Sequence, residues 1–194
     1  MIDKNVEYYN VNADSFFASS VGADMSADRN KFMALLPENA RILDAGCGSG
    51  RDSKAFLDAG YDVVAFDASE EMCKRASMYL RREVMNMRFE EMSFDKAFNG
   101  IWASASLLHV RMGELPDVML RMNQALKLGG IFYASFKYGN GTKMRGERRF
   151  SDFNEMSVVP LFENAGFTII SNEVGHDNRP GREAEMWVSV IARK

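Results

Sequence analysis

The chain has 194 residues, 26% charged and 46% hydrophobic, and its 24 basic against 27 acidic residues leave a net charge of −3. That length favours a single domain with a sizeable core, and the hydrophobic share excludes disordered and fibrous proteins. The net charge gives no general attraction to nucleic acid or acidic membranes. Two cysteines, Cys47 and Cys73, exclude a disulfide scaffold, and no Cys/His cluster has the spacing of a zinc site.

The N-terminal residues have neither the basic region nor the apolar stretch of a secretory signal. No apolar run approaches the roughly 18 residues that a spanning helix needs. We therefore expect a cytoplasmic protein with one domain over residues 1–194. Its expected parts are a helical segment (1–37), a ligand-binding core (38–137) and a C-terminal part with further loops (138–194).

Residues 3–36 predict two helices and no strand. From residue 41 to 136, short apolar runs typical of buried strands alternate with segments of helical spacing. The predicted strands are 40–45, 61–66, 83–89, 100–104 and 130–136, and the predicted helices are 51–59, 69–82 and 114–127. This alternation predicts right-handed crossovers and a doubly wound α/β fold with a mostly parallel sheet.

Beyond the fifth strand, residues 137–152 are rich in glycine and charge, which predicts a loop. A helix over 153–165 follows, closed by Gly166. Two β-rich runs, 167–174 and 185–194, flank a connection typical of a hairpin.

The strongest motif is the run Ile42-Leu43-Asp44-Ala45-Gly46-Cys47-Gly48-Ser49-Gly50. It leaves the first strand and enters the first core helix. Gly46, Gly48 and Gly50 permit positive φ and let a ligand approach the backbone. The N–H groups and the positive end of the helix dipole then face that ligand. In open α/β sheets such a crevice lies at the carboxyl ends of the strands.

Asp67 ends the second strand, about twenty residues beyond the glycine loop. An open α/β fold places there the carboxylate that accepts hydrogen bonds from a ribose diol. The sequence therefore predicts a ligand that contains a ribose. The alternative is that Asp67 only caps the helix that follows.

The position of Asp44, two residues before Gly46, narrows the class of ligand. A carboxylate there would repel the pyrophosphate of a dinucleotide but would attract an α-amino group. The pattern D-x-G-x-G-x-G therefore favours an adenosine that carries an amino acid over a nicotinamide dinucleotide.

The stretches ILDAGCGSGRDS, VVAFDAS and LKLGGIFYASF resemble the class I S-adenosylmethionine-dependent methyltransferases. The resemblance covers roughly residues 38–137 and is most similar to small tellurite-resistance-type members. It implies a Rossmann-like sheet of seven strands in the order 3-2-1-4-5-7-6, with the last strand antiparallel. It also implies S-adenosyl-L-methionine as the cofactor and a methyl transfer by direct displacement.

Carried onto this chain, the resemblance assigns the methionine amine to Asp44, the cradle to the three glycines and the ribose to Asp67. It places adenine near Arg88 and Phe89, although the acid common in the family is here Arg88, and Phe89 is equally suited to the core. Met72 is an adenine contact or a core residue. Further cofactor contacts are expected at Cys47, Ala68, Ala103 and Tyr8.

His109 follows the fourth strand at a position where small-molecule members carry a histidine. Its reference pKa near ~6.5 suits a general base for a hydroxyl or amine acceptor. The alternative is a structural histidine beneath the site. Motifs of methyltransferases that act on bases or glutamine are absent, since the strand ends in Ala-Ser-Ala-Ser.

The segment 137–149 carries five basic residues and one acidic residue. It follows the fifth strand, on the rim where acceptors bind, so we expect an anionic small-molecule acceptor. The alternative is a solvated loop. The N-terminal helices are expected to cover the cofactor as a lid. Expected acceptor contacts are Lys137, Tyr138, Arg149 and Arg179.

Three other functions stay open at this point. A nicotinamide-linked dehydrogenase is disfavoured by Asp44. An RNA or protein methyltransferase would use the basic 137–149 segment, against the net acidity of the chain. A regulator that binds the cofactor without chemistry is the third. No metal site is predicted, and the expected assembly is a monomer or a homodimer.

Overall fold

The computed structural model describes residues 3–177, 179 and 181–194. Its strands are β1 (Arg41–Ala45), β2 (Asp62–Asp67), β3 (Met85–Asn86), β4 (Phe98–Ala103), β5 (Leu126–Lys137), β6 (Gly141–Arg145), β7 (Arg148–Asp152), β8 (Thr168–His176) and β9 (Met186–Arg193). Seven of them form one sheet in the order β3-β2-β1-β4-β5-β9-β8, while β6 and β7 form a separate pair. Strand β9 runs antiparallel to β5 and β8, and the other pairs in the sheet are parallel. The predicted fold class and strand order are confirmed, the pair β6–β7 being an insertion.

The helices of the described residues are α1 (Lys4–Val11), α2 (Ala13–Ser20), α3 (Ser26–Met33), α4 (Arg51–Asp58), α5 (Glu70–Leu80), α6 (Leu115–Ala125) and α7 (Val158–Glu163). None of them is long and apolar enough to cross a membrane. The prediction of two N-terminal helices is wrong, because there are three. Asn12 separates α1 from α2 with φ −104° and ψ 17°, and its side chain donates to Tyr8 O at 2.8 Å. Such a side chain competes with the helical backbone pattern.

The predicted loop 137–152 is largely a β-hairpin. Strands β6 and β7 pair from Gly141 opposite Asp152 to Arg145 opposite Arg148. Glycine and charge are typical of a loop, but the hairpin buries Phe150 and Asp152 against the rest of the protein. Arg145 donates to both oxygens of Asp152, at 2.9 and 2.6 Å, and so neutralises that buried carboxylate. The tertiary packing overrides the local signal.

Two predicted elements are shorter than expected. Strand β3 covers 85–86 rather than 83–89, because it is an edge strand that pairs with β2 alone. Helix α7 covers 158–163 rather than 153–165. The preceding turn is held by Asn154, whose side chain accepts from the N–H groups of Met156 and Ser157.

Side chains of alternate residues along β5 pack into two different cores, as the pleat of a strand requires. On one face, Ile131 and Tyr133 pack with Phe32 of α3, with Phe56 of α4 and with Trp102. On the other face lies the larger apolar cluster, which includes helices α6 and α7. The sheet is thus covered on both faces, so that its carboxyl edge is the part left open to a ligand.

Helix α5 begins as the sequence predicts. The Ser69 hydroxyl accepts from Met72 N at 3.2 Å and donates to Asn10 Oδ1 of α1 at 2.7 Å. One side chain therefore caps α5 and also fastens α1 to it.

The Ser69→Ala substitution should lower the free energy of unfolding by about 1 kcal/mol, within the ~0.5–2 kcal/mol range of lost N-caps. Urea unfolding followed by circular dichroism measures this change. The matched control is Ser19→Ala, because Ser19 is exposed and donates only within its own helix. Equal stability of the two variants would contradict the capping role.

Candidate functional site

The loop between β1 and α4 is drawn back onto β2. The N–H groups of Gly46 and Cys47 both donate to Phe66 O at 2.9 Å. Gly46, Gly48 and Gly50 have φ of +78°, +54° and +76°. These are left-handed conformations, which glycine adopts without steric cost. The motif therefore forms the tight strand-to-helix turn that the sequence predicts.

The first two glycines of this loop are needed for different reasons. A Cβ on Gly46 would lie 2.5 Å from Ser106 Cβ, so a side chain there would collide with the segment after β4. A Cβ on Gly48 would meet Phe16 at 3.6 Å and would otherwise project into the cavity. Gly48 thus leaves a backbone surface that a ligand can approach closely.

Asp67 ends β2 with both carboxylate oxygens partly engaged. It accepts from Gly48 N and from Ser69 N, each at 2.9 Å. Burial raises its pKa, and these backbone donors oppose the rise. A carboxylate offers about four lone-pair sites, so acceptor capacity remains for hydroxyls of a ligand. Asp67 therefore holds the turn before α5, whose N-cap is Ser69, and also lines the cavity.

Asp44, near the end of β1, is a buried carboxylate with one side-chain donor, the Ser53 hydroxyl at 2.6 Å. Burial, together with the nearby charge of Asp52, raises its pKa to about 7. Its charged form is thus costly in the empty cavity. A cationic group of a ligand would offset this cost, which fits the predicted contact with an amine.

Asp52 is a residue that the sequence analysis missed. Arg51 donates to both of its oxygens, at 3.0 and 2.6 Å, Arg29 donates at 2.6 Å and Trp102 Nε1 at 3.0 Å. Burial acts to raise its pKa, but these donors outweigh burial and lower it. An acid in the first turn of α4 was visible in the sequence, whereas its partners come from α3 and β4.

A cavity of about 810 Å³ opens at the carboxyl edge of the sheet, between α1, the glycine loop, the hairpin β6–β7 and the loop before β9. Its walls include most of the predicted site residues: Asp44, Gly46, Cys47, Gly48, Asp67, Ala68, Met72, Phe89, His109, Lys137, Tyr138 and Arg179. The fold therefore brings together residues that are far apart in sequence.

Four predicted cofactor contacts lie outside the cavity walls, namely Tyr8 and the three residues Gly50, Arg88 and Ala103. Gly50 begins α4, where a Cβ would meet Leu80. Arg88 points toward α1 and pairs with Asp3 at 3.2 Å. Ala103 is buried in the large apolar core. In each case a residue next to it in the sequence lines the cavity instead.

Tyr8 and Arg149 are also displaced by a neighbour. Tyr9, rather than Tyr8, lines the cavity, and Arg148 does so rather than Arg149. Arg149 is held through its backbone, whose N–H and C=O pair with the buried Asn5 side chain, each at 2.9 Å. This pairing docks α1 on β7 and determines which arginine faces the cavity.

Cys47 has a pKa well above its usual value, because burial and the charges of Asp44 and Asp67 disfavour the thiolate. Thiolates are the reactive form of cysteine. Cys47 therefore lines the cavity as a thiol rather than as a reactive thiolate.

His109 lies in the cavity wall with both ring nitrogens occupied. Nδ1 is 3.2 Å from Arg149 O, and Nε2 is 2.8 Å from the Tyr9 hydroxyl. Burial lowers its pKa to about 4, so the imidazole is neutral at pH 7. The histidine is thus linked to Tyr9 and does not face the cavity with an unoccupied nitrogen.

Several predicted basic acceptor contacts are already paired within the chain. Lys137 is buried, pairs with Glu185 and lies 4.0 Å over the Trp187 ring. The Arg179 guanidinium donates to both carboxylate oxygens of Asp177, at 2.8 and 2.6 Å. The structure therefore reduces the cationic excess that the sequence alone implied.

In the described part of the chain, Arg148 is the one cationic side chain of the cavity wall without a carboxylate partner within 4.0 Å. Its guanidinium lies over the rings of Tyr8, Tyr9 and Phe150, at 4.2, 5.7 and 5.2 Å from their centroids. Its one hydrogen bond goes to the Tyr9 hydroxyl at 3.1 Å. No group of His, Cys, Asp and Glu suitable for a metal occurs among the described residues.

Fold and site together define a doubly wound α/β protein with a crevice at the carboxyl edge of its sheet, lined by the glycine loop and by Asp44 and Asp67. The profile of the Methyltransferase domain family matches residues 42–130. Malonyl-[acyl-carrier protein] O-methyltransferase of Erwinia pyrifoliae is 26% identical over 155 residues, which cover 72% of this chain and 56% of that protein. The chain thus spans little more than half of that relative.

Solved structures share the whole fold. A Burkholderia thailandensis 1,6-didemethyltoxoflavin-N1-methyltransferase, bound to 1,6-didemethyltoxoflavin and S-adenosylhomocysteine, aligns with TM-score 0.78 at 23% identity, over 98% of this chain and 85% of its own. The [4+2]-cyclase SpnF aligns with TM-score 0.75 at 16% identity, over 99% and 96%. Residues 42–130 are thus similar to a methyltransferase domain, the fold is shared with solved methyltransferases, and S-adenosylmethionine is the cofactor that this similarity implies.

The residues present fit that cofactor. Gly48 leaves the space that a Cβ would fill, Asp67 retains acceptor capacity for ribose hydroxyls, and Asp44 is a buried carboxylate whose raised pKa shows that its charge is poorly compensated. These three features match the backbone approach, the diol and the amine of an adenosyl amino acid.

The Asp44→Asn substitution should stabilise the empty protein at pH 8 by roughly 2–4 kcal/mol, because it removes a buried charge. The pKa of Asp44 in the fold, about 7, lies above that of an unfolded chain, ~3.9. The folded state therefore binds the proton more tightly, and the wild type loses this stability as the pH rises from about 4 to 7. The gain from Asn should vanish toward pH 4.

Urea unfolding at pH 4, 6 and 8 measures this difference. The control is Asp62→Asn, since Asp62 forms an exposed pair with Arg41 that is worth little. An Asp44→Asn variant that is less stable than the wild type at pH 8 would show that the charge of Asp44 is already compensated in the fold.

Proposed function

We propose that the protein transfers a methyl group from S-adenosylmethionine to a small molecule that carries an anionic group. The observation that carries this proposal is one continuous cavity. It joins the glycine loop and its two acids to Arg148, a cation with no carboxylate partner among the described residues. Bound S-adenosylmethionine supplies an electrophilic methyl group on a sulfonium.

The cofactor half of the cavity comprises the ends of β1 and β2. Asp44 would hold the amine, Asp67 the ribose hydroxyls, and the backbone at Gly48 would pack against the ligand. Phe89 lies in this wall, with its ring 5.4 Å from that of Phe66, and is suited to contact a base. Because displacement at a sulfonium needs no protonation of the leaving group, alignment of the reactants supplies much of the catalysis.

The acceptor half is the wall made by α1, the hairpin and the segment after β4. The cations Lys137, Arg145 and Arg179 are neutralised by carboxylates of the chain. An anionic acceptor would therefore pair with Arg148, whose planar guanidinium suits a carboxylate or phosphate.

One alternative loses support from these contacts, and the other is distinguished by turnover alone. An RNA or protein methyltransferase would need the basic segment 137–149 as an open cationic surface, but Lys137 and Arg145 are engaged within the chain. A regulator without chemistry would bind the cofactor and turn nothing over. The likeness to a [4+2]-cyclase also shows that one fold supports different functions. The tellurite-resistance-type subgroup, the cytoplasmic location and the assembly as a monomer or homodimer stay predictions.

S-adenosylmethionine and S-adenosylhomocysteine should stabilise the protein in a thermal-shift assay, whereas NAD should not. At a hundredfold excess over the dissociation constant the gain is about 2.7 kcal/mol. Affinity for S-adenosylhomocysteine should fall as the pH drops from 8 to 6, because protonated Asp44 no longer attracts the amine. No shift with either methionine cofactor would overturn the proposed function.

The Arg148→Gln substitution should raise the KM for an anionic acceptor about tenfold or more, consistent with the ~1.5–3 kcal/mol of a hydrogen bond to a charged group. The affinity for S-adenosylhomocysteine should not change. Turnover of labelled methyl donor with a panel of small carboxylic acids, phosphates, neutral alcohols and amines measures the effect. Arg193→Gln, at the far end of β9, is the control. Turnover of neutral or cationic acceptors only would contradict the anionic class.

A further inference from the structure

The Tyr9 hydroxyl is the point where three parts of the cavity wall meet. It lies on α1, contacts His109 of the segment after β4 at 2.8 Å and Arg148 of β7 at 3.1 Å. Its ring is 4.9 Å from that of Phe16, which in turn covers Gly48 of the glycine loop. Tyr9 therefore stands between the cofactor half of the cavity and the unpaired cation.

The contacts of His109 define which way the protons point. Nδ1 lies 3.2 Å from Arg149 O, and a carbonyl oxygen can only accept. Asn5 Nδ2 is 3.1 Å from the same nitrogen, but each of its two hydrogens has a carbonyl acceptor, Arg149 O at 2.9 Å and His109 O at 3.5 Å. Nδ1 therefore carries the ring proton, and Nε2 accepts from the Tyr9 hydroxyl.

Arg148 completes the arrangement from the other side. A guanidinium has donors only, so the Tyr9 oxygen accepts from Arg148 while its own proton points to His109. A phenol oxygen has two lone pairs, and the second remains for a group in the cavity. A hydroxyl of the acceptor can donate to it.

We propose that Tyr9 is the catalytic residue that takes the proton from a hydroxyl acceptor, with His109 as the positioning residue behind it. The proposal rests on the proposed function and deepens it, because it makes the acceptor a hydroxylated acid. As the acceptor oxygen forms its bond to the methyl carbon, the carbon–sulfur bond breaks and its electron pair stays on sulfur. The acceptor proton passes to the Tyr9 oxygen, and the Tyr9 proton passes to His109 Nε2. One proton has then moved from the acceptor to the imidazole.

The environment of this pair favours an oxygen acceptor over an amine. Burial lowers the pKa of His109 to about 4 and raises the pKa of Tyr9 above its usual value. Such a weak base takes a proton from an oxygen that is becoming a strongly acidic oxonium. The same weak base does not take a proton from the ammonium that methylation of an amine would form, because an ammonium is a much weaker acid.

Charged groups from several elements act on this pair, among them Arg179, which interacts with Tyr9. His109 is faced by Arg148 and Arg149 of β7 and by Asp3 before α1, and Tyr9 is faced by Arg148 and by Asp67 at the end of β2. The two arginines oppose protonation of the imidazole, and Asp3 favours it. His109 should therefore stay neutral from pH 8 down to about pH 5.

Nuclear magnetic resonance of the full chain tests the hydrogen-bond relay without an acceptor. The chain has two histidines, so ¹⁵N-histidine labelling gives two spin systems, and His176→Gln assigns them. We expect a neutral His109 with the proton on Nδ1 at pH 6, and a shift of its Nε2 signal in Tyr9→Phe. Tyr79→Phe, on the surface of α5, should leave that signal unchanged. A proton on Nε2, or an imidazolium at pH 6, would overturn the relay.

Methyl transfer to matched probes tests the chemistry. The probes are 4-hydroxybenzoate, 4-aminobenzoate and 4-methoxybenzoate, together with aliphatic hydroxy acids and their amino counterparts. Only hydroxy acids should be methylated, and Tyr9→Phe should lower kcat about 100-fold with little change in KM, within the usual range for a lost general base. His109→Gln should lower kcat about as much, because a glutamine carbonyl still accepts a hydrogen bond from Tyr9 but cannot take up its proton.

The outcomes separate this inference from the function beneath it. If calorimetry shows that the wild type does not bind S-adenosylhomocysteine, the proposed function is wrong. If S-adenosylhomocysteine binds but only the amino counterparts are methylated, the role of Tyr9 is wrong and the proposed function stands. The same holds if S-adenosylhomocysteine binds and Tyr9→Phe keeps the kcat of the wild type. If none of the acids is methylated, the anionic hydroxyl acceptor is wrong.

Discussion

The burial of a carboxylate at the end of β1 is the constraint on which the site depends. Asp44 sits beneath the glycine loop with a single hydroxyl donor, Ser53, and its neighbour Asp52 adds repulsion. Asp52 itself is satisfied by two arginines and an indole. The fold thus neutralises Asp52 and leaves Asp44 with a raised pKa, which is the basis of the selectivity proposed for a cationic ligand group.

A second set of buried polar contacts holds helix α1 over the cavity. The amide of Asn5 pairs with the backbone of Arg149, and Asn10 accepts from Ser69 at the start of α5. Helix α1 is thereby fastened to the hairpin on one side and to the cofactor half on the other. Both contacts are hydrogen bonds, which are directional. They therefore fix the position of α1 and keep its inner surface polar.

Much of the central fold could be predicted because its signals are local. The strand–glycine–helix turn at Gly46, the cap at Ser69 and the acid at the end of β2 depend on a few consecutive residues, and the structure has all three. The choice between adjacent residues could not be predicted. A shift of one residue turns a strand side chain to the other face, so Arg148 or Arg149 is selected only by the register of the hairpin. Tyr9 is selected over Tyr8 by the rotation of α1 as it docks.

Residue order and spacing were thus sufficient for the sheet, the glycine loop and the two acids, since each depends on neighbours in the chain. They were not sufficient for the charge balance in the cavity, because that balance depends on pairs of residues that meet only in the folded protein. Lys137 is neutralised by Glu185, a residue 48 positions away, and Arg145 by Asp152 across a hairpin that the composition hid. Of this run of basic residues, Arg148 is the one that lines the cavity without a carboxylate partner in the described part of the chain, and the His109 ring has a tyrosine partner 100 positions away. Coulomb and hydrogen-bond energies follow distance in space, which the sequence does not contain.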